Sequence, residues 1–144
     1  MAKCSLDKQE EETMQTYHGS CHCGAVTFEV DGDLSKLGDC NCSLCAKKGS
    51  VHYAVPKDRF RLLSGADTLK GYQFNKKIAT HFFCPNCGIH TYSHPRTAPD
   101  KFNVNVRCLN DFDLQTDDYE LSHFDGQNWE TAFKARQHAA HSSS

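Results

Sequence analysis

The sequence predicts an all-β domain, and three observations carry that expectation. Apolar and polar residues alternate over short stretches, most regularly where Phe102, Val104, Val106 and Cys108 are interleaved with Asn103, Asn105 and Arg107. Turn signals such as Asp31-Gly32-Asp33 and Ser64-Gly65-Ala66-Asp67 punctuate the chain at short intervals and leave little room for helix. Two cysteine pairs about sixty residues apart, Cys21-His22-Cys23 and Cys84-Pro85-Asn86-Cys87, offer to clip distant β-segments together around a metal ion.

Taken in order, residues 1–15 are charged and aperiodic and read as a mobile tail, in which Cys4 is a free thiol rather than a ligand. The folded domain is expected over residues 16–137, with order beginning near Tyr17. Val26, Phe28 and Val30 share one face of a half-buried strand over residues 25–30. Residues 34–39 form a looser segment that delivers the chain to Cys40-Asn41-Cys42-Ser43-Leu44-Cys45. Ala46-Lys47-Lys48-Gly49 then reads as a turn, or one helical turn ended by glycine. Residues 50–55 form a strand that Pro56 closes, because proline cannot donate to a ladder, and residues 60–63 form a short one. Residues 68–74 and 78–83 make a hairpin around Asn75-Lys76-Lys77.

The second strand of that hairpin runs directly into Cys84-Pro85-Asn86-Cys87-Gly88, the form of a zinc knuckle, in which backbone amides point at the sulfurs. A short strand over residues 89–92 follows, and then the alternating strand over residues 102–108. One face of the latter carries two amides and a guanidinium, an unusual polar row for a sheet. Residues 119–124 read as a final edge strand and residues 129–137 as a short C-terminal helix. Residues 138–144 are expected to be disordered.

Composition sets the bounds. The 144 residues suit a single domain with one core, and the net charge of −2, with both signs interspersed, gives no reason to expect nucleic-acid binding. Nine cysteines need an explanation. The polar stretch from Met1 to Thr16 lacks the apolar core of a secretory leader, and no apolar run approaches the ~20 residues of a membrane span. In a cytoplasmic protein, or alternatively a nuclear one, clusters of this spacing indicate metal rather than disulfides.

Seven clustered cysteines imply two zinc ions per chain. Cys21, Cys23, Cys84 and Cys87 make a closed set of four, as a structural zinc requires. Cys40, Cys42 and Cys45 turn three sulfurs toward one point with no fourth cysteine nearby, so this zinc is expected to keep an open, catalytic position. A histidine in that position, with His52, His81 or His90 as candidates, would make the second zinc structural as well. In the open form the natural guest is a thiol, since zinc lowers its pKa and holds it as thiolate. Three thiolates donate electron density, which disfavours water activation and favours sulfur chemistry.

The order Gly19-Ser20-Cys21-His22-Cys23-Gly24, Cys40-Asn41-Cys42-Ser43-Leu44-Cys45, then Phe83-Cys84-Pro85-Asn86-Cys87-Gly88 resembles the glutathione-dependent formaldehyde-activating enzyme family. The likeness continues through Pro95-Arg96, Val104-Asn105-Val106-Arg107-Cys108-Leu109 and Phe124-Asp125-Gly126, spanning residues 17–135. Arg59-Phe60-Arg61-Leu62-Leu63 and Tyr72-Gln73-Phe74-Asn75 bring it nearest the centromere protein V branch. The resemblance implies an Mss4-like, or β-tent, fold of short antiparallel sheets clipped by zinc. It also implies that the four-cysteine zinc is structural and the three-cysteine zinc catalytic. The activity implied is a carbon–sulfur lyase that joins formaldehyde and glutathione into S-(hydroxymethyl)glutathione.

On this reading glutathione or another small thiol and a small aldehyde are the partners, with no membrane. His52, Tyr53 and His90 are the candidates to protonate the product alkoxide. Lys47, Arg96 and Arg107, the last beside Asn105, are candidates to bind the carboxylates of glutathione. The alternative is a non-catalytic glutathione carrier or a zinc-stabilised protein-interaction module.

Overall fold

The alternating stretches pair into two sheets in the computed structural model, which describes residues 14–74, 79–95 and 100–142, the last stretch with side chains to residue 136. The smaller sheet joins β1 (Gln15–Ser20), β2 (Thr27–Gly32) and β5 (Phe60–Ser64) in antiparallel order β1-β2-β5. The larger sheet contains β3 (Lys36–Cys40), β4 (His52–Pro56), β6 (Lys70–Tyr72), β7 (Thr80–Phe83), β8 (His90–His94), β9 (Lys101–Asn105) and β10 (Glu120–Phe124). Its order is β10-β3-β4-β9-β8-β7-β6. Every pairing is antiparallel except β10 with β3, which run parallel and set Phe124 opposite Cys40. Two α-helices complete the described fold, α1 (Ser43–Lys48) and α2 (Trp129–Ser142).

The core lies between the sheets and is centred on Phe60. Its ring sits 5.5 Å from Phe28, 4.6 Å from Tyr92 and 5.1 Å from Phe102, with Val30, Val55 and Val104 fully buried around it. Aromatic rings at such spacings add specific contacts to their large buried area, and Phe60→Ala would cost about 3–5 kcal/mol. Filling the core from this side turns Tyr53, Val55 and Val104 inward. It leaves His52, Ala54 and Asn103 on the other face of the large sheet.

Several expectations change. Residues 36–40 form a full strand rather than a looser segment: they carry no alternation, but Leu37 is buried and the backbone is satisfied by β10 and β4. The strand expected to run to Cys108 stops at Asn105, and a 3-10 turn covers Val106–Cys108. The Asn105 side chain causes the stop, its Oδ1 accepting the Arg107 N–H at 3.2 Å. Helix α2 continues to Ser142 instead of ending at residue 137, consistent with its alanines. The N-terminal tail up to residue 13 and the hairpin loop at residues 75–77 lie outside the described residues.

Candidate metal centres and the adjoining cavity

The two cysteine sets assemble as two clusters, in each of which all sulfurs lie within 4.8 Å of one another. Cys21, Cys23, Cys84 and Cys87 come from two loops brought together by the fold. Cys21 and Cys84 are buried, and Cys23 Sγ stands 3.6 Å from Cys21 Sγ and 3.7 Å from Cys84 Sγ. The Val26 N–H donates to Cys21 Sγ at 3.3 Å. Such amides favour thiolate, and the Asn86 side chain together with the Ala25 N–H lowers the Cys23 thiol below its ordinary value. None of the eight described cysteines is disulfide-bonded.

The second cluster is local. Cys40 ends β3, Cys42 caps the N-terminus of α1 and Cys45 lies in its first turn. The Cys42 N–H points at Cys40 Sγ at 3.4 Å, and the Cys45 N–H at Cys42 Sγ at 3.3 Å. Contacts from the Cys40 and Cys45 thiols pull Cys42 down to about 2, whereas Cys40 and Cys45 are pushed upward. Without a cation the cluster thus favours a single thiolate, at Cys42, and ionising the other two sulfurs calls for a positive charge among them. Among the described residues no histidine nitrogen or carboxylate joins the three sulfurs at that spacing, so the set stays at three. Soft sulfur donors in both sets fit zinc, with four-coordination complete in the first and one donor short in the second.

Gly126 closes one side of the triplet. A Cβ there would run into Cys40 Sγ and stand 2.8 Å from Cys42 Cβ, so a larger residue would have to push the sulfurs aside. Two hydrogen bonds fix this approach: Asn41 N–H to Phe124 O at 3.2 Å and Gln127 N–H to Asn41 Oδ1 at 3.1 Å.

The triplet opens into a cavity of about 170 Å³ over the outer face of the large sheet. Register supplies its floor. Asn103 pairs with Ala54 and Ser93, Ser93 also pairs with His81, and His52 and His81 line the two sides. His52 lies flat because its pairing partner is Gly38, where a Cβ would come within 2.9 Å of His52 Nε2. His90 reaches the cavity through a bulge. Strict alternation would place it with Tyr92 in the core, but the register shifts between Phe82 and Phe83 and re-aims it.

Lys48 stands at the wall between these imidazoles. Its Nζ is 3.0 Å from His81 Nδ1 and 3.3 Å from His90 Nε2. Burial, reinforced by the Lys48 charge, lowers His52 and His81 to about 4 and His90 to about 3. All three are therefore neutral at pH 7 and two of them accept from Lys48. Burial pulls Lys48 down too, while Cys45, Cys42 and Cys40 pull it up. Phe124, Trp129 and Arg136 complete the wall, and no carboxylate lines the cavity among the described residues.

The sequence candidates are thus divided. Cys40, Cys42, Cys45, His52 and His90 meet at the cavity. Tyr53 does not: it projects from the other face of β4, packed against Gly32 and the core. Lys47 is exposed outside the cavity, and its neighbour Lys48 takes the inward position. Asn105 is buried and structural, donating from Nδ2 to the His90 carbonyl at 2.9 Å. Arg107, leaving the strand through the 3-10 turn, lines an adjoining depression with Tyr72 and Ile89, on the far side of the wall that Lys48, His81 and His90 form. Arg96 lies outside the described residues. Sequence reading missed Lys48 and Arg136. The first was available from helical spacing, since Cys45 and Lys48 are three apart and share a face.

Residues 16–124 match the family model described as glutathione-dependent formaldehyde-activating enzyme. A crystal structure of a Rhodobacter sphaeroides protein superposes with a TM-score of 0.67 at 33% identity, covering 74% of this chain and 98% of that one.

Proposed function

This chain belongs to the glutathione-dependent formaldehyde-activating enzyme family, and on that premise we propose that its three-cysteine cavity is the catalytic centre and its four-cysteine cluster the structural one. The observation behind the proposal is the asymmetry of the clusters: four sulfurs close on one another within the fold, whereas three do so at a cavity wall. The substrates on this reading are a thiol, glutathione in the family's own reaction, and a small aldehyde such as formaldehyde. The reaction is of the carbon–sulfur lyase type run toward synthesis. A compartment that keeps thiols reduced, such as the cytoplasm, suits seven ligand sulfurs.

Zinc held by Cys40, Cys42 and Cys45 would supply an open position that keeps a guest thiol ionised at neutral pH. The remaining steps belong to the chain's own side chains. Phe124 and Trp129 exclude water from the reacting atoms, and Ser93 and Asn103 offer polar contacts on the floor. Lys48 Nζ, held by two neutral imidazoles, donates toward the aldehyde oxygen. The guest sulfur forms a bond to the aldehyde carbon and the carbonyl π pair moves to oxygen. That oxygen takes a proton from Lys48 Nζ, which the proton released by the thiol replaces. The product is an S-hydroxymethyl thioether. His52, neutral across the floor, is the second proton-handling group.

The test is an adduct assay with zinc-loaded protein, glutathione and formaldehyde, compared with the uncatalysed reaction. We expect acceleration that is lost in Cys42→Ser and reduced in Lys48→Met. Thiol binding without acceleration would instead identify a carrier.

A further inference from the structure

Helix α2 begins beyond the residues that the family model matches, and it helps to form the cavity. The family match ends at residue 124, and α2 begins at Trp129. Trp129, Ala132, Phe133 and Arg136 fall at i, i+3, i+4 and i+7, one stripe of the helix. Phe133 stacks on Trp129 at 4.7 Å, and Trp129 meets Phe124 edge-on at 6.3 Å. The Arg136 guanidinium lies 4.5 Å over the Phe124 ring. Phe124 is the last residue of β10, opposite Cys40, so the same ring that flanks the triplet also seats the helix.

Arg136 is exposed and still lines the cavity, which places it at the rim. Among the described residues no carboxylate pairs with it. The other cation of the wall, Lys48, is turned toward His81 and His90. The cavity volume of about 170 Å³ is below the ~300–1,000 Å³ that encloses a drug-sized ligand. A tripeptide thiol is therefore too large for the cavity alone: its sulfur end fits inside, and its charged ends lie beyond the wall, at the rim where Arg136 stands or in the adjoining depression.

We infer that α2 is a substrate-selecting rim, with Arg136 binding a carboxylate of the thiol's tail and Trp129 covering its sulfur end. The chain then prefers anionic thiols to neutral ones, and Arg136 takes the role that the sequence assigned to Arg107. The ligand's identity as a thiol rests on the function proposed above; the anion-binding rim does not.

Calorimetry on the zinc-loaded full chain tests this with glutathione, S-methylglutathione and glutathione diethyl ester. Wild type should bind glutathione about tenfold more tightly than the diester, the expected scale for one charge-assisted contact. Arg136→Ala should weaken glutathione and S-methylglutathione by about tenfold each and leave the diester nearly unchanged. Arg136→Lys should retain part of the affinity, since it keeps the charge but loses the planar fork. Unchanged glutathione affinity in Arg136→Ala, an equal loss for the diester, or no binding to wild type would overturn the inference. Equal binding of glutathione and its S-methyl form, with the Arg136→Ala loss intact, would remove thiol capture and leave the rim standing.

Discussion

The two cysteine clusters use the same donor atom in opposite surroundings. Cys21 and Cys23 meet Cys84 and Cys87 across a sequence separation of 61 residues between Cys23 and Cys84, with Cys21 and Cys84 out of solvent. Cys40, Cys42 and Cys45 are neighbours in sequence, sit on one strand end and one short helix, and face a cavity. A metal at the first joins segments the unfolded chain keeps apart, so its binding energy is folding energy. A metal at the second restrains little chain and leaves one donor short of a closed shell. Ligand number matters less to this difference than what each cluster ties together.

The largest expected effect breaks the first cluster. Cys84→Ser should lower the melting temperature by more than about 10 °C or abolish a cooperative transition, whereas Cys42→Ser should cost no more than about 5 °C. Cys42→Ser should nonetheless remove the acceleration of adduct formation over the uncatalysed reaction. Thermal melts with Cys42→Ser as the more damaging change would show the roles reversed.

A smaller effect is expected at Gly126. Its alanine variant adds a Cβ against Cys40 and Cys42, so zinc affinity at the triplet should fall about tenfold while the other cluster is untouched. Competition with a chromophoric chelator measures both sites in one titration, and an unchanged affinity at the triplet would mean that the 124–127 loop simply moves away.

The smallest effect is in pH. His52, His81 and His90 are held below their ordinary value of 6.5, chiefly by burial, so as pH falls the unfolded chain takes up protons first. Their contribution is fully present above pH 6.5 and is lost as pH falls toward 4 for His52 and His81 and toward 3 for His90. Replacing His81 and His90 by Gln should flatten the acid limb of melting temperature against pH over that window. An identical slope would place the acid sensitivity elsewhere.

Much of this comparison was readable in the sequence because it depends on local spacing. Short ligand intervals announced both clusters, and the alternation around Phe102 and Val104 gave the sheet that carries them. What the sequence hid depends on nonlocal geometry. Residues 36–40 lack alternation because only Leu37 is buried, so β3 is held by its neighbours in the sheet. The polar row ended at Asn105 because that side chain bonds the Arg107 amide, which removed Arg107 from the cavity face. The bulge beside Phe82 turned His90 outward against its apparent period. Arg136 enters the site from a helix whose packing on Phe124 no spacing rule announces.

Stepwise metal removal tests the asymmetry most directly. Protein purified without added zinc should carry two zinc ions per chain, and a graded chelator titration should take them in two stages. The first equivalent should leave with the acceleration of adduct formation while the melting transition persists, and the second should leave with the fold. Unfolding on loss of the first equivalent, or activity that survives until the second is removed, would contradict it.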